Sequence, residues 1–213
     1  MIERIRGFYA VLDRNDETLA RALLSVASVL QVRIKPGHAS EILEVARMAR
    51  RLCDEVGAQL IVNDRVDIAV ASGADGVHLG QTDLPIAEAR RCATKLRAGG
   101  GRGNGELMIG ISTHDVAQVE HAVASGADYL GFGPIFATQT KQNPDPVQGI
   151  AGLRAAVIAA RGTPIVAIGG IEAHAVPDIY AAGAAAICAI RAVNHAADVG
   201  ATARSFARAT LRS

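Results

Sequence analysis

The stretch ASGADGVHLG at residues 71–80 recurs closely as ASGADYLGFG at 124–133, and more loosely as EVGAQLIVND at 55–64 and AAGAAAICAI at 181–190. Each copy follows an apolar segment of helical period and places Gly where that helix would end. Glycine suits that place because it alone adopts the left-handed C′ conformation at no steric cost. A small residue and a turn residue follow, then a run of aliphatic residues that suits a strand buried on both faces. The recurrence predicts a repeated βα unit with tight αβ turns.

Reading outward from these junctions, strands are expected at 8–13, 29–35, 59–64, 76–80, 107–112, 129–135, 164–170 and 185–191. Between them run segments of helical period at 17–26, 39–56, 65–71, 85–97, 115–124, 150–160, 173–181 and 197–209. In 39–56, for example, Ile42, Leu43, Val45, Ala46, Ala49 and Leu52 share one face. Eight such units within 213 residues predict an α/β protein, a (β/α)8 TIM barrel forming a single domain over 1–213. An open doubly wound sheet is the alternative. No Pro- or Ser-rich linker divides the chain, and GGGRGNG at 99–105 reads as a surface loop.

Composition removes several classes of function. Half of the residues are hydrophobic but only 3% are aromatic, so the apolar mass is aliphatic and suits close packing of helices on a sheet. Lys and Arg number 22 against 21 Asp and Glu. That balance provides no basic field for nucleic acid, and the aromatic scarcity provides no base-stacking platform. Three scattered cysteines, Cys53, Cys92 and Cys188, match neither a disulfide framework nor a zinc site. With no run near the roughly 18 apolar residues of a membrane span, a cytoplasmic protein is expected.

In such a barrel the chemistry collects at the C-terminal ends of the strands. Those positions carry Gln31, Arg33 and Lys35; Asn63 and Asp64; His78 and Asp83; Ser112 and His114; Thr138, Thr140 and Lys141; and Gly169–Gly170 and Ile190–Arg191. Period two places Gln31, Arg33 and Lys35 on one side of a strand, with Val32 and Ile34 on the other. Polar groups facing a barrel interior need a ligand or a partner. Acidic and basic groups gathered on one face suit a polyanion with a divalent metal. Each element has a plainer reading. Asp64, Asp83 and Ser112 each stand where a helix N-cap would, and Arg33 could pair with a carboxylate. IGGI at 168–171 is a phosphate-binding turn or simply a turn.

The segments LQVRIK (30–35), IVNDRVDIAVASGADGVHLGQTDLP (61–85), IGISTH (109–114), GADYLGFGPIFATQTK (126–141) and IVAIGGI (165–171) together resemble the thiamine-phosphate synthase family over nearly the whole chain. The resemblance implies a (β/α)8 transferase joining hydroxymethylpyrimidine diphosphate to a thiazole phosphate, with release of pyrophosphate. It assigns the segment Gln31, Val32, Arg33, Ile34 and Lys35, together with Asn63, Ser112 and Lys141, to the pyrimidine diphosphate. Asp64 and Asp83 match Mg²⁺ ligands. Thr138, Gln139, Thr140, Gly170, Ile190 and Arg191 match the holders of the thiazole phosphate. Arg33, Lys35, Ser112 and Lys141 match the catalytic set that the resemblance implies. The chain departs from the family at Ile34, where Glu is usual, at Asn143 in place of an acidic residue, and at Arg191, where Ser is common. Small-molecule substrates follow from this, and exposed barrel helices are compatible with a homodimer. Three other functions compete: a thiazole tautomerase-like isomerase using His114, a non-catalytic regulator that binds a thiamine precursor, and another phosphosugar-type barrel enzyme sharing only the IGGI turn. The isomerase has no need of the QVRIK set or two metal carboxylates, and the regulator would be favoured by missing ligands, of which none is missing.

Overall fold

At all four junctions the glycine takes the left-handed conformation, with φ of +72° at Gly57, +75° at Gly73, +83° at Gly126 and +100° at Gly183. The computed structural model describes residues 5–98, 106–138 and 145–209. Strands and helices alternate along them: β1 (Gly7–Leu12), α1 (Glu17–Leu24), β2 (Val29–Val32), α2 (Ala39–Val56), β3 (Gln59–Asn63), α3 (Val66–Ser72), β4 (Gly76–Leu79) and α4 (Ile86–Ala98). The second half runs β5 (Met108–Thr113), α5 (Val116–Ala124), β6 (Tyr129–Phe132), α6 (Gly149–Ala159), β7 (Ile165–Ile168), α7 (Val176–Ala181), β8 (Ala186–Cys188), α8 (Arg191–Asn194) and α9 (Val199–Ala209). The strands pair in parallel in chain order, and β8 returns to β1 through Gly7↔Ala186 and Phe8↔Ile187, closing the barrel. The doubly wound alternative is thereby excluded. No helix among the described residues is long and apolar enough to cross a membrane.

The period-two pattern divides the core into two layers. Outward-facing Phe8, Leu30, Val32, Leu60, Val62, Val77 and Leu130 pack with the buried faces of the helices. Inward-facing Tyr9, Val11, Val29, Ile61, Tyr129, Val166, Ala186 and Cys188 fill the barrel itself. The second layer is small. Inward glycines give it room for two rings: a Cβ on Gly110 would run into Tyr129, and one on Gly131 would lie 3.2 Å from the His78 ring.

The base of the barrel is tied by a device that the GAD junctions repeat. Asp75 Oδ2 accepts from Arg50 Nη1 at 2.7 Å and from the Leu60 amide at 2.8 Å. Asp128 Oδ2 accepts from Arg90 Nη2 at 2.8 Å and from the Ile109 amide at 2.7 Å. Each Asp therefore satisfies the amide of the second residue of the preceding strand and neutralises an Arg from a neighbouring helix. Charge-assisted bonds of this kind are among the stronger ones a fold makes.

Several strands end earlier than hydrophobic periodicity predicts. β2 stops at Val32 rather than Lys35, β6 at Phe132 rather than Ile135, and β8 at Cys188 rather than Arg191. Their last residues still alternate, but the chain leaves the ladder there. Arg33 makes one further bond to β1 through Leu12 O, and Ile135 bonds to Ile168 O in the β7 turn. The expected helix 173–181 begins as a single 3-10 turn at Ala173–Ala175. The short α8 is an element that sequence periodicity did not predict.

Candidate active site at the barrel mouth

The frayed strand ends are the walls of the site. Asp64 follows β3 with a φ of +62°, one of two positive-φ residues other than glycine among the described residues. Asp tolerates this conformation better than most residues, but it is uncommon and is usually retained where a side chain must be aimed. The backbone is held there because the Asp64 amide donates to His78 O at 2.8 Å. Asp64 is not a helix cap: Arg65 holds that position for α3, with no side-chain cap bond. Asp83 turns back instead, its Oδ2 accepting from the Gly80 amide at 2.7 Å. Ser112 lies inside β5, and Asp115 is the residue that caps α5.

Asp64 and Asp83 therefore meet. Burial, together with the nearby Asp64 carboxylate, raises the pKa of Asp83 above the ordinary range. Lys35 Nζ lies 2.6 Å from Asp64 Oδ2. Among the described residues no three His, Cys, Asp or Glu side chains converge on one point. Two crowded carboxylates without a third protein ligand fit Mg²⁺. That ion takes one or two carboxylates and completes its shell with water and substrate phosphate oxygens. A cleft of about 190 Å³ opens beside them, lined by Val32, Ile34, Lys35, Asn63 and Asp64 among others.

Arg33 is half-buried at the mouth and makes no ion pair among the described residues. The carboxylate partner considered for it is absent there. Its positive field reaches two buried groups, opposing protonation of His78 and favouring the thiolate of Cys188. Burial dominates both. It pushes His78 down to about 4 and the Cys188 thiol up to about 12. Val32 and Ile34 turn their side chains into the outer core, so only their backbone is available to a ligand held from inside the barrel.

A hydrogen-bonded chain crosses the interior beneath this mouth. Gln31 Nε2 donates to the Tyr9 hydroxyl at 3.0 Å, and that oxygen is 2.9 Å from the Tyr129 hydroxyl. Tyr129 reaches His78 Nδ1 at 3.0 Å, and His78 Nε2 reaches Ser112 Oγ at 2.9 Å. Burial raises the pKa of both tyrosines, keeping them protonated. Gln31 and Ser112 were legible as site candidates, but Tyr9 and Tyr129 were not. The available signal was indirect: glycines at the inward positions 110 and 131 mark space reserved for large neighbours.

The opposite wall is built on close backbone approach. Gly170 has a φ of +63°, and a Cβ there would collide with Phe136 and Ala137. The segment after β6 is thus seated directly on the GG turn, with the Phe136 amide donating to Gly169 O at 2.9 Å. Thr138 is half-buried at its end, while Gln139, Thr140 and Lys141 lie outside the described residues, as do Asn143 and the 99–105 loop. Ile190 packs on the inner core and caps the short α8, which opens with exposed Arg191. His114, which the isomerase alternative requires, has Nδ1 2.6 Å from Gly133 O and Nε2 3.5 Å from Asp145.

A closed eightfold barrel with acidic and basic groups at its C-terminal mouth is a (β/α)8 enzyme scaffold. A model described as thiamine monophosphate synthase matches residues 8–193, and the chain belongs to that family. A thiamine-phosphate synthase of Chloroflexus aurantiacus is 44% identical over 185 residues, covering 87% of this chain and 80% of its own. One from Methanoculleus marisnigri is 43% identical, covering 91% and 87%. The structure of a thiamine phosphate pyrophosphorylase from Pyrococcus furiosus superimposes with a TM-score of 0.86 at 31% identity, over 99% of this chain and 98% of that one. These relatives are transferases. A 3-hexulose-6-phosphate synthase at 18% identity and a TM-score of 0.66 shares the fold alone.

Proposed function

We propose that this protein is a magnesium-dependent thiamine-phosphate synthase that acts on hydroxymethylpyrimidine diphosphate and a thiazole phosphate. The observation that carries the reading is the convergence of Asp64, Asp83, Lys35 and Arg33 at one mouth. Membership of the family and the relatives' names support the choice of substrates. Magnesium held by Asp64 and Asp83 would supply Lewis-acid neutralisation of the diphosphate.

Arg33 and Lys35 bind the remaining anionic oxygens, and Lys141 completes this set. In the reaction the C–O bond between the pyrimidine methylene and the diphosphate breaks, and its electron pair leaves with pyrophosphate. The methylene is left cationic, and the thiazole nitrogen donates its lone pair to form the new C–N bond. Cations fixed around the leaving group lower the barrier because that is where negative charge develops. The turn at Gly169–Gly170, with Thr138 and Arg191, holds the thiazole phosphate so that its nitrogen meets the cation as it forms. No protein nucleophile is required on this dissociative course. The same reading puts the enzyme in the cytoplasm with small molecules as its partners, as a homodimer that light scattering would report.

Incubation of the purified protein with both substrates should yield thiamine phosphate and pyrophosphate in equal amounts, abolished by EDTA and restored by Mg²⁺. Product formed equally well without a divalent metal would remove the assignment of Asp64 and Asp83. Absence of product under all metal conditions would sink the synthase reading.

A further inference from the structure

We propose that Tyr9, Tyr129 and His78 are positioning residues that order the protons of the interior chain, so that the Ser112 hydroxyl keeps its own proton for the anion bound at the mouth. The inference deepens the synthase reading and rests on its assignment of Ser112 to the diphosphate.

Each link in the chain from Gln31 to Ser112 holds one hydrogen atom, and the links share their oxygens and nitrogens. Gln31 Nε2 donates to Tyr9 at 3.0 Å. The Tyr9 proton must then find an acceptor, and the Tyr129 oxygen lies 2.9 Å away. Tyr9 and Tyr129 are both buried, so water does not offer an easy alternative. Having accepted from Tyr9, Tyr129 donates to His78 Nδ1 at 3.0 Å. A neutral imidazole that accepts at Nδ1 carries its hydrogen on Nε2, and that hydrogen is directed at Ser112 Oγ, 2.9 Å away. Ser112 is thereby an acceptor within the protein, and its own proton remains for a ligand.

The reverse order is the only other one that leaves no hydroxyl hydrogen of the two buried tyrosines without an acceptor in the chain and no link without a hydrogen. It needs Gln31 turned to present Oε1, a hydrogen on His78 Nδ1, and Ser112 donating inward to Nε2. Ser112 would then face a diphosphate with lone pairs alone, a repulsive contact. One amide orientation at Gln31 thus decides the state of a hydroxyl three strands away. Gly110 and Gly131 leave the room that the Tyr129 and His78 rings occupy: a Cβ at Gly110 would collide with Tyr129, and one at Gly131 would press on His78 at 3.2 Å. The Ser112 carbonyl is separately held by Gln81 Nε2 at 2.6 Å, so the residue itself is fixed while its hydroxyl is set by the chain.

Two measurements on the full-length protein test this. The first is ¹⁵N NMR of histidine-labelled protein, with the His78 signals assigned by their loss in His78→Gln. The expected pattern is a bare Nδ1 and a protonated Nε2, with and without magnesium pyrophosphate. A hydrogen on Nδ1 in the pyrophosphate-bound protein overturns the proposal. The second is a double-mutant cycle read as affinity for magnesium pyrophosphate by calorimetry. Tyr129→Phe should weaken binding about 5- to 20-fold in the wild-type background and less than about twofold when Ser112 is already Ala. Equal losses in both backgrounds would make Tyr129 merely structural, and no measurable pyrophosphate binding would also overturn the proposal. Because neither readout needs turnover, a protein that passes both but makes no thiamine phosphate would refute the synthase reading alone.

Discussion

The two ends of the barrel use the same residue types to opposite effect. At the base, Asp75 and Asp128 are each matched to one Arg and one strand amide, with all four contacts between 2.7 and 2.8 Å. At the mouth, Asp64 and Asp83 crowd each other, Asp64 sits in a left-handed backbone conformation, and Arg33 makes no ion pair among the described residues. At the base each of these carboxylates finds its partners within the protein. The mouth is left with like charges together and a cation lacking an ion pair, an arrangement that a metal and a phosphorylated ligand would resolve. A site selected for stability would look like the base.

The largest expected break in that contrast is at the mouth. Asp83→Asn should lower turnover by about 100-fold or more while changing stability by less than about 1 kcal/mol, because it would remove a proposed metal ligand and a like-charge repulsion together. Pyrophosphate release and calorimetric melting measured on the same preparation check both halves. At the base the pattern should invert. Asp75→Ala or Asp128→Ala leaves a strand amide unmatched and takes one partner from a half-buried Arg, costing about 1–3 kcal/mol in urea unfolding. Activity per folded molecule should stay near that of the parent. A base variant that loses turnover without losing stability would erase the distinction.

A pH titration sharpens the comparison further. His78 titrates near 4 in the folded chain against an ordinary 6.5, so the unfolded chain takes up the proton first. Stability from this group is therefore full above about pH 6.5 and is lost as pH falls toward about 4, by on the order of 1–3 kcal/mol. His78→Gln should flatten that part of the stability profile. The smallest effect concerns the thiols. Burial pushes Cys53 and Cys188 up to about 12, so neither should react with iodoacetamide at pH 8 until the barrel unfolds. Mass spectrometry of partially labelled protein would show this.

Much of the fold was legible because its signals are local. The helix-ending glycines of the junction motif, followed by aliphatic runs, identify each βα unit from about ten residues. Closure did not depend on any single unit, only on there being eight. The strand ends were less legible: alternation in LQVRIK continues to Lys35, whereas the ladder stops at Val32, with one further bond from Arg33. Periodicity reports which way side chains face, not whether a neighbouring strand is still present to bond. Asp64, Asp83 and Ser112 could be placed at the site, but a capping role for each was locally as good. That choice turned on where Arg65, Gly80 and Asp115 ended up.

By itself the sequence determined the architecture, the face on which chemistry collects and the residue types available there, since those follow from periodicity and chain order. The tertiary structure decided which of those residues act on one another. The pairing of two carboxylates from β3 and β4, and the chain from Gln31 through Tyr9, Tyr129 and His78 to Ser112, join residues up to 120 positions apart. Such contacts arise only when the barrel closes, because closure brings inward side chains from different strands into the same layer.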